Sequence, residues 1–314
     1  MYVKSTAVVA LWVWIASFWQ VSLTWAEQSS DLSYVGTLEV DDYFEFEGGG
    51  LPFPPGSKSL LILDEPRLDV ATIVLLPHEA VLEDPGIGTL EVSDPVNIAF
   101  DSKATRSFRL LIVEPHTGEL IGVREGLGDY TDPDAIMRVD LGGFDVQDPR
   151  GLTIDPGTKN LFMLDGVGPQ LIRIELEQPG DFAGTFTTTK YWISWSELIE
   201  PADTRELTDL HGLAFNPADG HLYVFDREGL GVYELSDTGE ILASHNFSSA
   251  EPTDIELAGV RSMVFAPSRD GTDDPGEMSL YVVSTGGVNG VVTEWSLTAL
   301  TVASRSPILT TVTQ

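Results

Sequence analysis

The sequence predicts an all-β chain folded as a single β-propeller of four-stranded blades. The first observation is a pattern that recurs without gaps: a Gly-Leu pair, a short apolar stretch, a turn containing Pro, and a second apolar stretch ending in Asp fourteen residues after the Gly. It occupies residues 50–64, 151–165 and 212–226, and looser copies begin at Asn97 and Ser262. The second observation is the spacing of these starting points, which is 47, 54, 61 and 50 residues. A repeat of about 50 residues is typical of propeller blades.

The strands of one repeat can be read directly from the clearest copy. Four short runs rich in Val, Leu, Phe and Tyr are separated by turn residues, and they lie at 212–216, 221–225, 229–235 and 240–247. Such runs, bounded by Gly, Pro, Asn or Asp, indicate four antiparallel strands. The apolar residues cannot all reach one side, so each sheet must bury both faces against neighbours, which closure into a ring allows. A two-layer sandwich is the alternative, but it would not explain the repeat.

The number of blades follows from the number of repeats. Five starting points predict five blades, and six are possible if a degenerate copy lies within residues 27–93. Residues 34–40, Tyr-Val-Gly-Thr-Leu-Glu-Val, form a predicted strand without a partner nearby in the sequence. We expect it to become the outermost strand of the C-terminal blade and thereby to close the ring.

The longest spacing contains an insertion at residues 181–209 with three aromatic residues, Tyr191, Trp192 and Trp195. We expect these side chains to pack against an outer strand, and residues 194–200 to form one or two helical turns. The alternative is a loop that covers one mouth of the central tunnel, because insertions in a propeller lie on its faces.

Residues 1–26 predict a signal peptide. Lys4 supplies a positive charge, residues 7–21 are mostly apolar, and Thr-Trp-Ala at 24–26 offers a cleavage site. The alternative is an uncleaved membrane anchor, which needs about 20 apolar residues. Without the leader, residues 27–314 form one propeller domain, secreted or periplasmic, which we expect to be monomeric and free of the membrane. The sequence has no Cys, so no disulfide supports the fold.

The charge of the chain restricts its partners. There are 49 acidic and 17 basic side chains, and the net charge is −32. The charge argues against nucleic acid and anionic lipid as partners, because both require Lys and Arg to displace counterions. The acidity favours solubility and attracts cations.

Carboxylates three positions before the repeats suggest a cation site. Asp94, Asp148 and Asp209 occupy this position in three repeats. The first strand of each blade lines the tunnel, so these side chains would surround one mouth. Ca²⁺ is bound by about six to eight oxygen atoms in irregular geometry. The alternative is structural, because Asp ahead of a strand commonly accepts hydrogen bonds from its own turn.

Positively charged side chains stand one position before the same repeats. Arg150, His211 and Arg261 would converge in an otherwise acidic molecule and could bind a carboxylate or phosphate, for which Arg offers bidentate geometry. His211 could also act as an acid or base, since an unperturbed imidazole titrates at about pH 6.5. The alternative is a structural network in which both Arg residues pair with the neighbouring Asp residues.

The second strand of three repeats ends in Asp64, Asp165 or Asp226, and repetition at one structural position indicates a role in a turn. Signals of the commoner chemistries are absent. The sequence contains no Gly-x-Ser-x-Gly and no His-Glu-x-x-His. No catalytic constellation is compelling.

Two stretches carry a family resemblance. Residues 148–155, Asp-Pro-Arg-Gly-Leu-Thr-Ile-Asp, with Leu-Phe-Met-Leu-Asp at 161–165, resemble the NHL-type repeat, as do residues 210–215 with 222–226. The longer spacing and the Asn-Pro-Ala-Asp-Gly-His-Leu turn are similar to exported bacterial propellers grouped with SdiA-regulated proteins. The resemblance covers roughly residues 34–300. It implies a propeller, commonly six-bladed, in families that include binding modules, calcium-dependent lactonases and esterase-like enzymes.

Two functions are therefore considered. The first is an exported binding or scaffold module, without a required cofactor, for a protein, glycan or small-molecule ligand. The alternative is a Ca²⁺-dependent lactonase or esterase-like hydrolase at the central tunnel mouth. In that enzyme Asp94, Asp148 and Asp209 would hold the metal, and His211 would carry the proton.

Overall fold

The computed structural model describes residues 29–38, 59–64, 69–76, 79–83, 97–100, 110–123, 136–177, 185–195, 207–247, 257–268, 278–284 and 291–297. Within these ranges the chain forms twenty β-strands and two short 3₁₀ helices, so the predicted all-β class is confirmed. No helix in this part of the chain is long and apolar enough to cross a membrane.

The first half of the chain forms an N-terminal strand and two sheets. The N-terminal strand is β1 (Ser29–Leu38). The described strands of the first sheet are β2 (Ser59–Asp64), β3 (Asp69–Leu76) and β4 (Glu79–Glu83). The second sheet contains β5 (Asn97–Phe100), β6 (Leu110–Glu114), β7 (Glu119–Val123) and β8 (Ile136–Asp140).

The second half continues the same order. A 3₁₀ helix, Leu141–Phe144, precedes the third sheet of β9 (Pro149–Ile154), β10 (Leu161–Asp165), β11 (Gln170–Leu176) and β12 (Phe186–Trp192). After the short strand β13 (Ser194–Trp195), the fourth sheet contains β14 (Leu210–Phe215), β15 (Leu222–Asp226), β16 (Gly231–Leu235) and β17 (Glu240–Phe247). A second 3₁₀ helix, Leu257–Gly259, precedes the fifth sheet of β18 (Val260–Pro267), β19 (Met278–Ser284) and β20 (Val291–Leu297).

Strand β10 shows why each sheet needs a neighbour on both faces. Leu161 and Met163 lie in a core shared with the second sheet, whereas Phe162 and Leu164 lie in a core shared with the fourth. All four side chains are buried. Successive side chains of a strand point to opposite faces of its sheet. Because β10 is apolar at every one of these positions, it packs against the neighbouring sheet on each of its faces. Strand β15 does the same between the third and fifth sheets.

The first strands of the sheets lie side by side, with β5 against β9, β9 against β14 and β14 against β18. A β-carbon at Gly151 would lie 2.8 Å from Leu213 Cβ, and one at Gly212 would lie 3.4 Å from Met263 Cγ. Gly212 has φ of 61°, which glycine adopts without steric cost. Four-stranded sheets with adjoining first strands and cores between their faces form a β-propeller. The number of blades and the closure of the ring stay predictions.

Strand β1 joins the outer edges of two sheets. Its residues 32–38 pair antiparallel with β20, so it is the outermost strand of the C-terminal sheet, where the sequence placed it. Its residues 29–32 pair parallel with residues 244–247 of β17. The edge of β17 is also covered at residues 240–241 by β13. Residues 240–241 and 244–247 of this outer strand are thus protected from pairing with other chains.

The insertion in the third repeat differs from the prediction in two respects. Tyr191 lies in β12, the outer strand of the third sheet, and Trp195 pairs with β17, the outer strand of the fourth, so these two aromatic residues do lie at outer strands. The Trp195 ring packs edge-on against Tyr233 of β16 at 5.4 Å. Trp192 is 65% exposed, however, and does not. Ser194 and Trp195 are a strand and not helical, because Ser194 N donates to Gly239 O at the edge of the fourth sheet. Residues 196–200 lie outside the described residues.

Candidate functional site

A β-bulge recurs in the first strand of three neighbouring sheets. Two residues of the first strand stand opposite one residue of the second, and the pairs are Arg150-Gly151 opposite Leu164, His211-Gly212 opposite Phe225, and Arg261-Ser262 opposite Val283. A bulge interrupts the regular alternation of a strand and turns a side chain in a new direction. The three cationic positions predicted from the sequence therefore share one structural cause.

Two of these side chains meet between the third and fourth sheets. Arg150 Nε donates to Asp148 Oδ2 at 2.8 Å, and Arg150 Nη1 donates to Asp209 Oδ1 at 3.0 Å. The same Asp209 oxygen lies 2.9 Å from His211 Nε2. One guanidinium thus bridges two carboxylates from adjacent sheets, with an imidazole beside it.

Arg227 completes the group, and the sequence reasoning missed it. Its Nη1 lies 3.2 Å from His211 Nε2, and its backbone N donates to Asp209 O at 3.1 Å. Arg227 follows the terminal Asp of β15, and the corresponding residue after β10 is Gly166. Because the two repeats differ here, no recurrence marked the position. We call Asp148, Arg150, Asp209, His211 and Arg227 the inner-strand cluster.

Gly166 is required by the inner-strand cluster. Its backbone N donates to Asp148 O at 2.7 Å, as Arg227 N does to Asp209 O in the next sheet. A β-carbon at Gly166 would overlap Arg150 Nε and Asp148 Oδ2. The missing side chain makes room for this ion pair in the third sheet, whereas the Arg227 side chain reaches His211 in the fourth.

Buried carboxylates hold the turns beneath the cluster. Asp165 Oδ1 accepts from Asp148 N at 2.9 Å and from Val167 N at 3.1 Å. Asp226 Oδ1 accepts from Glu228 N at 3.1 Å. The predicted turn role is therefore confirmed for Asp165 and Asp226. The side chain of Asp64, at the end of β2, is not among those described.

His211 is neutral at neutral pH. Burial, followed by the nearby charges of Arg227 and Arg150, lowers the pKa of His211 from 6.5 to about 4, although Asp209 acts in the opposite direction. A neutral imidazole can donate from Nε2 to Asp209 or accept there from an arginine, but it cannot do both. The ring therefore serves as a polar contact within the cluster and not as a third positive charge.

The side chains of the inner-strand cluster differ in their exposure to solvent. The side chains of Asp148 and Asp209 are 42% and 43% exposed, whereas those of Arg150 and His211 are 23% and 16% exposed. The carboxylates therefore meet the solvent, and the guanidinium and imidazole lie beneath them. Any polar ligand reaching this end of the inner strands meets the carboxylates first.

The remaining predicted residues are placed as follows. Arg261 occupies the bulge of β18, half-buried, beside β14. Asp94 lies outside the described residues. Asp148 and Asp209 both bind Arg150, so a guanidinium supplies the positive charge between them. In the described ranges no group of three or more His, Asp or Glu side chains is arranged to hold a metal ion. The calcium site at Asp94, Asp148 and Asp209 stays a prediction.

A second titratable group lies at the other end of the fourth sheet. Glu234 Oε1 lies 2.5 Å from His221 Nδ1, and Glu234 Oε2 lies 3.2 Å from His245 Nε2. Burial alone would raise the pKa of Glu234, but the hydrogen bonds and charges of His245 and His221 lower it below its usual value. This carboxylate is therefore ionised and ties three strands together.

Comparisons with known proteins find similar solved structures but no family. No protein-family model matches the chain, and no curated protein matches it. Similar solved structures include a nidogen/laminin complex (15% identity, TM-score 0.46, 81% of this chain and 84% of that chain). They include streptogramin B lyase, with 12% identity and a TM-score of 0.45 over 84% of this chain and 98% of that chain. They also include regucalcin, a calcium-binding protein from Agrobacterium tumefaciens, with 13% identity and a TM-score of 0.45 over 85% of this chain and 97% of that chain. At these scores the assignment of the fold rests on the strand arrangement, and membership of the NHL-type or SdiA-regulated families stays a prediction.

Proposed function

We propose that this protein is an exported β-propeller that binds a polar ligand or a protein partner through the inner-strand cluster. The observation that carries the proposal is the bridge from Arg150 to Asp148 and Asp209, at 2.8 and 3.0 Å, made between two adjacent sheets. Both carboxylates are more than two-fifths exposed. A rigid pair of acceptors is therefore presented to the solvent, and a ligand binds such groups with little loss of side-chain freedom.

The cluster offers a ligand both acceptors and donors. Asp148 and Asp209 can accept hydrogen bonds from hydroxyl, amide or ammonium groups. The contacts of Arg150 use Nε and Nη1, so the N–H groups of Nη2 are the donors that a ligand oxygen would meet. This pairing suits a ligand that carries donors and an acceptor on one polar surface.

The protonation state of His211 favours binding over acid–base catalysis. A general base works best when its pKa lies near the operating pH. The lowering of the His211 pKa from 6.5 to about 4 reduces the basicity of the ring. The change corresponds to roughly 300-fold weaker proton affinity than that of an unperturbed imidazole. His211 is thus better suited to a hydrogen bond than to proton abstraction.

The second candidate is the calcium-dependent hydrolase. In its favour, Asp148, Asp209 and His211, three of its four predicted residues, lie in one cluster. A calcium ion bound there would have to displace the Arg150 guanidinium from both carboxylates. The two candidates therefore differ in what Arg150 does, and this provides the test.

The test is a thermal-shift screen of the mature chain with three groups of probes: small carboxylates and phosphates, neutral and amino sugars, and short peptides. Arg150→Gln is compared with Arg173→Gln, a matched control whose side chain is 21% exposed and pairs with Glu175 outside the cluster. We expect at least one probe to raise Tm for wild type and Arg173→Gln but not for Arg150→Gln. If the probes raise Tm equally in wild type and in Arg150→Gln, or if no probe raises Tm, the result would count against the proposal.

The hydrolase is tested in parallel with lactone and ester substrates in the presence of Ca²⁺ or a chelator. Turnover that requires Ca²⁺ and is lost in His211→Gln would replace the binding module with the enzyme. Export is tested by mass spectrometry of the released protein. We expect its first residue to be Glu27, and retention of residues 1–26 would identify a membrane anchor instead.

A further inference from the structure

Large apolar side chains are exposed next to the inner-strand cluster. In the described ranges Val167, Trp192 and Leu230 are 49%, 65% and 43% exposed. Single exposed apolar residues are common on protein surfaces, but a group of them around a polar centre is typical of an interaction site.

Hydrogen bonds hold the turns that carry two of them against the cluster. Val167 lies in the turn between β10 and β11, and Leu230 lies in the corresponding turn between β15 and β16 of the next sheet. The first turn is tied to Asp148 O through Gly166 N at 2.7 Å, and the second to Asp209 O through Arg227 N at 3.1 Å. Because Arg150 bridges Asp148 and Asp209, both turns are attached to one polar unit.

Trp192 packs against the first of these turns and extends the same surface. It ends β12 opposite Gln170, and its ring covers Gly168 in the first turn so closely that a β-carbon there would lie 2.8 Å from Cζ3. The indole therefore packs against the turn while most of the side chain stays exposed. An exposed Trp provides a large contact area with few rotatable bonds to order on binding.

Leu230 carries a backbone penalty as well as exposed apolar area. Its φ is 51°, in the left-handed region that bulky side chains rarely adopt. Asn or Gly would occupy this turn position with less strain, and both would be more soluble there. Strained residues that the fold does not require cluster at functional sites. We therefore relate Leu230 to binding and not to folding.

Charge indicates the nature of the occupant. The apolar side chains surround exposed carboxylates, Asp148 and Asp209, on a chain whose net charge is −32. A chain of this net charge attracts basic partners and repels acidic ones before contact is made. A sugar ring could stack on Trp192, but Val167 and Leu230 offer no flat face to a sugar. Aliphatic and aromatic contacts around a charged centre fit a polypeptide better.

We propose that Asp148, Val167, Trp192, Asp209 and Leu230, which we call the turn face, dock a protein segment that carries Lys or Arg between apolar residues. The basic group binds Asp148 Oδ1 and Asp209 Oδ2, the carboxylate oxygens that Arg150 does not contact, so the Arg150 bridge stays in place. The apolar neighbours cover the three exposed side chains. This inference rests on the proposed function, because it names the partner class of the same cluster.

The test is selection from a random cyclic-peptide library on immobilised mature protein, with neutral oligosaccharides presented in a parallel array. The apolar part is removed in Val167→Thr/Trp192→Thr, and the charged part in Asp148→Asn/Asp209→Asn. Asp237→Asn is the control, since Asp237 is 62% exposed and lies outside the turn face. Selected peptides are resynthesised, and their Kd is measured at low and high salt.

We expect the selected peptides to carry Lys or Arg flanked by apolar residues. Their Kd should rise about tenfold or more in both double variants, should rise with salt, and should be unchanged in Asp237→Asn. Leu230→Asn provides a readout that a structural role would not give: Tm rises because the strain is relieved, while peptide binding weakens. A fall in Tm with unchanged binding would contradict the assigned role of Leu230.

Other outcomes separate this inference from the proposed function. The docking proposal would be overturned if the selected peptides were acidic or uncharged, or if oligosaccharides bound and peptides did not. It would also be overturned if both double variants bound the peptides as tightly as wild type does. If in those cases another probe still depends on Arg150, the proposed function stands. If no probe depends on Arg150, both proposals fall.

Discussion

Arg150 and Asp209 lie 59 positions apart in neighbouring sheets, and Arg150 Nη1 donates to Asp209 Oδ1 at 3.0 Å. The same guanidinium donates through Nε to Asp148 at 2.8 Å. A single side chain therefore couples the turns at one end of the third and fourth sheets. Strand pairing within each sheet could not do this, because β9 and β14 belong to different sheets and the backbone at Gly151 packs against Leu213 without pairing with it.

The Arg150–Asp209 pair should contribute measurably to stability. A double-mutant cycle with Arg150→Gln and Asp209→Asn should give a coupling free energy of about 0.5–1 kcal/mol, because the arginine is anchored while the carboxylate is partly exposed. The measurement is urea unfolding at low salt. In the control cycle, Arg173 and Asp237 are 3.4 Å apart and Asp237 is 62% exposed, so we expect coupling near zero. Equal coupling in the two cycles would contradict the assigned role of Arg150.

His211 should make the fold sensitive to acid. Its pKa is lowered from 6.5 to about 4 by burial, Arg227 and Arg150. Between those pH values the unfolded chain binds a proton at this residue and the folded chain does not, so stability falls as pH drops from 6.5 towards 4, by about 3 kcal/mol. The unfolding free energy of wild type, relative to that of His211→Gln, should therefore fall by about this amount between pH 7 and pH 4. The exposed His116 provides the control substitution, His116→Gln, and parallel curves for His211→Gln would contradict the prediction.

Glu234 should make the stability of the fold depend on pH in a more acidic range than His211 does. Burial would raise its pKa, but His245 and His221 lower it overall. The contribution of the carboxylate is therefore present above the unfolded value of 4.5 and is lost as pH falls through the lowered folded pKa. We expect Glu234→Gln to be less stable than wild type by about 2 kcal/mol at pH 7. Chemical denaturation between pH 7 and pH 3 should show this gap closing below pH 4.5, and a constant gap would disprove the assignment.

Gly166 should tolerate no side chain. In Gly166→Ala the new methyl overlaps Arg150 and Asp148, and we expect a loss of about 1–3 kcal/mol, measured by thermal unfolding. Gly143→Ala is the matched control, because nothing lies within 4 Å of a β-carbon there, and it should change stability by less than about 0.5 kcal/mol. Removing the obstacle in Gly166→Ala/Arg150→Gln should restore part of the loss. Additive effects of the two substitutions would show that the overlap is not the cause.

Part of the candidate site could be predicted because it repeats. Arg150, His211 and Arg261 were recognised from their place one residue before the recurring anchors, and the structure explains that place by a bulge in each first strand. Arg227 was missed because its counterpart in the third sheet is Gly166. Comparing the copies of a repeat reveals only the residues that they share. A functional residue that occurs in one copy alone, such as Arg227, cannot be recognised in this way.

Sequence alone determined the all-β class, the order of the strands and the end of the sheets at which polar side chains gather. Local apolar patterning and turn residues decide all three, and they act between residues close in the chain. Only the tertiary structure decided that Arg150 meets Asp209, that β1 reaches both β17 and β20, and that Trp192 faces solvent. Each of these depends on how two distant sheets are placed against each other, and the spacing of residues within one sheet carries no information on that placement.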